Sequence, residues 1–374
     1  MAKKRNERSQ SWQLLNDDLF HPIGSLNRRG FIRGCCLASL AFMTANCTAK
    51  NDSGTSASSP AASTAASPDS GSGTVLRVGH LPAGCVSHLL LANKRGLFKE
   101  AGLNVKLTQF NGPGENLQAL VGGAQDVIHN PWTNTVAAYA QGTESLRIIC
   151  GSGKGGIELV ARDGSVKTLQ DLAKAANSNL KIGTLKLDTL ELVVYGHLKK
   201  LGVDYSAYKM TFFPSMVGMG EALMQKAVDV CSLAQPYAET VVSQAKGTYL
   251  ADSNGAWGPE ASDCVISTRS DFISKEPNLL ADYLAVLRKS AEALNANYDQ
   301  AIADLVPVYG STASILSVAL KRQVPQPILN EAGVQSLRNG VGFLADLKYL
   351  KPEQTNLIDT VFDGSIQEKS LKTT

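Results

Sequence analysis

Residues 119–127 read ALVGGAQDV, and residues 222–230 read ALMQKAVDV. Ala, Leu, Ala, Asp and Val stand in register across the two stretches. Each closes the same longer pattern. In the first copy VLRVGHL (75–81) has the apolar density of a buried strand. CVSHLLLANKRGLFKEAGL (85–103) carries Leu89, Leu90, Leu91, Leu97 and Phe98 at helical spacing up to Gly102. NVKLTQF (104–110) is a second strand, and GPGENLQALVGGAQDVI (112–128) is a Gly-rich loop, a short helix and a third strand. The second copy runs NLKIGTL (179–185), LDTLELVVYGHLKKLGV (187–203), YKMTFFP (208–214) and SMVGMGEALMQKAVDVCSL (215–233).

A repeat of this kind is a βαβ unit with a return strand rather than a short solenoid repeat. Two copies predict two α/β lobes, each with a mostly parallel sheet covered by helices. Two further stretches read as crossovers between them: SLRIICGSGKGGIELVARDGS (145–165), two apolar runs around a Gly-rich bend, and DCVISTRSDFI (263–273). Paired connections make a hinge. Beyond Pro277 the pattern is helical throughout, as in LLADYLAVLRKSAEALNANY (279–298).

The 374 residues suffice for such a core, and 44% hydrophobic and 18% charged residues are ordinary for a globular chain. The formal charge of +3 is unevenly placed. Seven of the 36 Lys/Arg and three of the 33 Asp/Glu fall within residues 1–46, which leaves 29 basic against 30 acidic residues beyond them. The body therefore carries no nucleic-acid footprint. The basic stretch is SLNRRGFIRGCCLASLAFMTANC (25–47). Its apolar run, Cys35 to Ala45, is too short for a bilayer span of ~20 residues and fits a signal-peptide core. Arg28-Arg29-Gly30-Phe31-Ile32-Arg33 resembles a twin-arginine export motif, with Asn27 where Ser or Thr is usual. Residues 51–74 hold no aromatic or large aliphatic side chain and read as a flexible tether. A tether after a cysteine after a signal core looks like a bacterial lipoprotein, with the lipid on Cys47. Met43-Thr44-Ala45-Asn46 departs from the usual lipobox, and plain cleavage is the rival outcome.

The chain resembles the substrate-binding proteins of ABC importers in the sulfonate, taurine, nitrate and pyrimidine-precursor group. LLLANKRGLFKEAGLNVKLTQFNGPGENLQALVGGAQDV (89–127), AQPYAETVVSQAKGTYL (234–250) and DFISKEPNLLADYLAVLRKSAEAL (271–294) carry the resemblance, which covers roughly residues 75–365. It implies an α/β, two-lobe type II periplasmic binding fold with a hinge and a helical C-terminal region. The expected boundaries are a signal peptide over 1–47, a tether over 48–74, a first lobe over 75–157, a second over 158–262, and a return to the first with the C-terminal helices over 263–374. It also implies a monomer outside the cytoplasmic membrane that holds a small polar or anionic molecule between its lobes (a sulfonate, nitrate or relative, with a pyrimidine or amine-bearing compound as the further option) and hands it to permease and ATPase subunits. Neither catalysis nor a cofactor is implied. An exported sensor module is the rival from another class. An enzyme on the same fold is disfavoured, since the pyrimidine-synthesising relatives carry a CCCFC-type motif that the body lacks.

In such a fold the ligand lies at the carboxyl ends of the strands. The candidate contacts follow from that rule. After strand one come Cys85, Ser87 and His88, where Ser87 either caps the helix or faces the cleft and His88 either donates to a ligand or is a first-turn residue. Gly112 and Gly114 let backbone approach a ligand. Asn130 and Trp132 end the third strand, with Trp132 a stacking wall or a core residue. Gly151-Ser152-Gly153-Lys154-Gly155-Gly156 matches GxGxxG, but a strand pattern follows where a dinucleotide site needs a helix, so a hinge turn is the reading, with Ser152 toward the ligand. In the second lobe the candidates are Asp188, Thr189, Ser215, Gln235 and Tyr237. Sulfonate binders of the family usually carry a small Gly-Ser/Thr step where Asp188 stands, and its charge puts a simple sulfonate or nitrate in doubt. The body cysteines, Cys85, Cys150, Cys231 and Cys264, form no CxxC, no HExxH occurs, and no metal site is expected.

Overall fold

The computed structural model describes residues 74–373. The twin-arginine stretch, Cys47 and the tether up to residue 73 lie outside the described residues.

The first half-pattern folds as β1 (Val75–His80), α1 (Ser87–Arg95), β2 (Asn104–Gln109), α2 (Pro113–Val121), β3 (Val127–Pro131) and α3 (Trp132–Ala140), followed by β4 (Leu146–Lys154). The helix expected over 85–103 breaks at Gly96, whose φ of 74° ends α1 in the left-handed conformation glycine adopts without strain. The second half-pattern is β5 (Ile157–Ala161), β6 (Lys181–Thr184), α4 (Thr189–Lys200), β7 (Lys209–Phe212), α5 (Met216–Met224), β8 (Val230–Ala234), α6 (Tyr237–Ala245) and β9 (Thr248–Asp252). The chain then runs through β10 (Ser262–Arg269), α7 (Pro277–Ala296), α8 (Tyr298–Tyr309), α9 (Ala313–Arg322), the two-residue β11 (Val324–Pro325) and α10 (Glu331–Asp346).

Two sheets result, ordered β11-β4-β10-β3-β1-β2 and β7-β6-β8-β5-β9. In each, three parallel strands stand in the spatial order second, first, third: β2-β1-β3 and β7-β6-β8. In each, the next strand is antiparallel, β10 against β3 and β5 against β8. The chain passes from the first sheet to the second between β4 and β5, and returns between β9 and β10. The fold is therefore the two-lobe α/β architecture that the repeated half-pattern predicts.

The matching aspartates of the repeat do matching work. Asp126, one residue before β3, accepts the Arg77 main-chain N–H at 3.0 Å and the Arg77 guanidinium, and its own N–H donates to Arg77 O at 2.9 Å. Asp229, one residue before β8, accepts the Lys181 main-chain N–H at 3.0 Å and the Arg162 guanidinium, and its N–H donates to Lys181 O at 2.9 Å. The next residues then pair in the same register, Val78 with Val127 and Ile182 with Val230.

The helices distribute over both lobes. α7, α8 and α9 supply Tyr283, Leu287, Ile302, Leu305, Leu316 and Leu320 to the core beneath α1 and β1. α10 instead gives Leu337, Val341 and Leu344 to the core that holds β5, β6, β8 and α4. Among the described residues no single helix is long and apolar enough to cross a membrane.

Because Asp126 is buried and makes charge-assisted bonds to main chain and side chain, D126A is expected to lower unfolding free energy by about 2–3 kcal/mol. D229A should lose a similar amount. Urea unfolding followed by circular dichroism measures both; a loss confined to one variant would show that the two ties are not equivalent.

Candidate functional site

The carboxyl ends of the parallel strands of both sheets meet at one cavity. The turn after β1 brings Leu81, Ala83 and Cys85; the loop after β2 brings Asn111 and Pro113; β3 ends in Pro131. From the other lobe, the loop after β6 brings Leu185, Asp188 and Thr189, α5 brings Met216, and β8 ends in Ala234. Ile157, Asp263, Cys264 and Gln323 close the wall along the crossover strands. About 30 Å³ of free space remains inside, room for roughly one or two waters. The lobes are closed.

Bonds across the cleft hold that closure. Gly84 N donates to Gln235 O at 2.6 Å. Thr133 Oγ1 and Asn134 Nδ2 both donate to Leu187 O, at 3.2 and 3.0 Å. At the hinge, Asp263 Oδ2 accepts from Gly156 N and from Gln323 Nε2, each at 2.7 Å, so one carboxylate pins both crossovers together. Beside it the fully buried Glu158 of β5 pairs with Arg322 at the end of α9. The glycines of 151–156 serve packing rather than phosphate binding: a Cβ on Gly153 would lie 2.6 Å from Cys85 Cα. They sit in β4 and the first crossover, and the strand β5 follows them.

Of the sequence candidates, Cys85, Asp188 and Thr189 line the cavity. Asp188 caps α4, its Oδ1 accepting the Leu190 N–H at 3.0 Å. Ser215 caps α5 through the Gly218 N–H. Gly112 is the residue before α2, and Gly114 lies in its first turn. Asn130 accepts from Asn116 Nδ2 at 3.1 Å and donates to Pro113 O at 3.3 Å, which steadies the loop after β2. Gln235 donates to Tyr249 OH at 3.1 Å and accepts from Glu239 N, and Tyr237 is half-buried against the second lobe's core.

Four candidates lie behind the cavity wall. Ser87 and His88 are wholly buried in the first turn of α1. Burial holds the His88 imidazole down at about 3, so it is neutral. Ser152 Oγ donates to Cys85 O at 2.8 Å and stands 2.7 Å from His129 Nδ1, whose other nitrogen meets Tyr283 OH at 2.7 Å. Since the serine proton is committed to the carbonyl, His129 donates at Nδ1 and accepts the Tyr283 proton at Nε2. Trp132 is also wholly buried; its ring fills the space over Gly340 of α10, where a Cβ would come within 2.5 Å of Cζ2.

Asp263, Cys264, Gln323 and Asn111 also line the cavity. Asp263 carried one signal, a lone charge opening an apolar strand. Gln323 carried none. The four body cysteines are free and buried. The neighbouring Cys85 thiol, and then burial, hold the Cys264 thiol well above its ordinary range.

The cavity is acidic. Burial pushes the Asp188 carboxyl up to about 7, against the favourable Leu190 N–H and Thr189 hydroxyl and helped by the charge of Glu191. Burial likewise pushes Asp263 up to about 7, against the bonds from Gly156 and Gln323 and the nearby Ser253 hydroxyl.

Two interleaved α/β lobes joined by paired crossovers, with strand ends and loops of both converging on one cleft, define the type II periplasmic binding fold. The chain belongs to the NMT1-like family, whose sequence profile matches residues 70–306. No curated protein matches it by sequence. Among solved structures it is similar to the ligand-binding component of an ABC-type import system from Staphylococcus aureus with zinc bound, at 15% identity and TM-score 0.70 over 80% of this chain and 99% of that one. It is similar to the alkanesulfonate-binding protein SsuA from Xanthomonas axonopodis pv. citri bound to MOPS, at 16% identity and TM-score 0.67 over 77% and 98% of the chains. The periplasmic nitrate-binding protein NrtA from Synechocystis PCC 6803 aligns at 12% identity and TM-score 0.66 over 79% and 88%.

Two outcomes follow from the placements. W132A empties a buried site and is expected to cost about 3–5 kcal/mol in denaturant unfolding; a variant as stable as the parent would put the indole outside the core. For Asp188, the folded form binds a proton more tightly than the unfolded chain, so its stabilising contribution is complete below the unfolded value near 4 and is lost as pH rises through about 7. Asn also caps a helix well. D188N is therefore expected to gain melting temperature relative to the parent between pH 5 and 8. The comparison is made against the parent because burial lowers the pKa of His80, His88, His129 and His197, whose contribution falls in acid instead. A difference independent of pH would contradict the Asp188 assignment.

Proposed function

We propose that this protein is the extracytoplasmic solute-binding component of an ABC importer. It captures a small polar molecule between its lobes, and the closed form is what the permease and ATPase assembly receives. The observation that carries this reading is the cavity itself: both lobes line it, and the bonds to Leu187 O and Gln235 O across its mouth form only when the lobes meet. The import-system, alkanesulfonate and nitrate proteins of the same fold support it. The protein does no chemistry on its solute; the role is capture and release by hinge motion. Export by the twin-arginine stretch and a lipid on Cys47 rest on the sequence alone; in this reading the protein works as a monomer on the outer side of the membrane.

A thermal-shift panel of sulfonates, nitrate, bicarbonate, pyrimidines and amino compounds is expected to find a solute that raises the melting temperature, since a ligand of the native state alone stabilises it. Removing the bonds to Leu187 O in a T133A/N134A double variant should weaken that solute by roughly tenfold or more and enlarge the protein in small-angle scattering. A protein indifferent to every member of the panel would defeat the reading.

A further inference from the structure

The cavity lining has a chemical bias. It contains no lysine, arginine or histidine. It contains two aspartates, Asp188 from the second lobe and Asp263 from the hinge, both almost wholly buried. Asp188 Oδ1 is used by the Leu190 N–H and the Thr189 hydroxyl, while Oδ2 has no partner. Asp263 Oδ2 is used by Gly156 and Gln323, while Oδ1 has no hydrogen bond of its own; the Ser253 hydroxyl stands near without completing one. Gln323 spends its amide group on Lys154 O and Asp263, which leaves its Oε1 unpartnered as well. Three residues that line the cavity thus each carry a buried acceptor oxygen without a hydrogen bond, of which only Asp263 Oδ1 has a hydroxyl, that of Ser253, close by; a buried acceptor left unsatisfied is costly.

The start of α4 would ordinarily favour an anion. Here the helix supplies its own acceptor: Asp188 takes the Leu190 N–H at that end. An anionic solute would face two carboxyl groups, each partly ionised near neutral pH, and no base. A solute with N–H donors and a positive charge would supply what these oxygens lack, once the lobes part enough to admit it. Among the described residues no group of three His, Cys, Asp or Glu side chains is placed to hold a metal ion, so an organic cation fits this donor requirement. The rest of the wall, including Leu81, Pro131, Ile157 and Met216, is apolar and suits a short hydrocarbon stem.

We propose that the solute held in this cleft is a small organic cation bearing an ammonium or amidinium group, bound between Asp188 and Asp263 with Gln323 as a third acceptor. The proposal rests on the solute-binding reading above and names the class of solute for the same site.

The full-length protein is titrated calorimetrically, and by thermal shift, with ethylammonium, 1,4-diaminobutane and acetamidinium in one arm and with ethanesulfonate and nitrate in the other. The expected result is stabilisation by at least one cation and by neither anion. D188N and D263N, each with an unchanged far-ultraviolet circular dichroism spectrum, should weaken the cation at least about tenfold; a variant that loses that spectrum is replaced by the other. Binding of an anion without any cation overturns the cation assignment and leaves the solute-binding reading standing. Cation binding untouched by either substitution overturns the assignment to these carboxylates. Failure of every probe overturns the assignment, and the broader panel of the preceding subsection then decides separately whether the solute-binding reading falls with it.

Discussion

A carboxylate placed one residue before the third strand of each half-pattern ties the strand register of both sheets. Asp126 and Asp229 each grip the main-chain N–H and C=O of a residue on the neighbouring first strand. A strand that slips by one residue turns every side chain to the opposite face, so this grip protects both the core and the mouth of the cleft. With the strands level, their carboxyl ends finish together, and the loops after β1, β2 and β3 can meet those after β6 and β8.

Polar groups inside the first lobe form a second tier of support. Ser152, His129 and Tyr283 link β4, β3 and α7 in one chain of hydrogen bonds, and Ser152 also holds the Cys85 turn that forms part of the cavity wall. Gly153 lets that turn lie directly on β4. The wall is thus positioned by residues that face away from it. Such a satisfied network rigidifies its surroundings, while a half-satisfied one costs stability.

The legible part of the sequence was what repeats or is local. The strand–helix–strand order and its copy were visible in ALVGGAQDV and ALMQKAVDV, because buried strands and amphipathic helices leave their period in the chain. Cys85, Asp188 and Thr189 were legible as cavity residues because each follows closely on the end of a first strand. Trp132 obeyed the same rule of position, yet Gly340, more than two hundred residues later, opens the pocket that draws its indole inward. Ser87, His88 and Ser152 were drawn behind the wall for a related reason: their neighbours come from distant strands and helices. Gln323 reaches the cavity only because α9 ends beside the hinge, a fact of tertiary packing with no local trace.

Asp263 has two oxygens with different employers. One fastens the two crossovers, and the other makes no hydrogen bond of its own, on a residue that lines the cavity. Anything that draws charge toward the free oxygen also changes the strength with which its twin holds the pivot. Occupancy and lobe angle are then two readings of a single free energy. By reciprocity, a docking partner that prefers the shut shape tightens its cargo, and one that pries the lobes apart loosens it to the same degree. If the proposed solute does sit on Asp263, delivery needs no separate signal, because the residue that holds the cargo is also the one that pins the two crossovers.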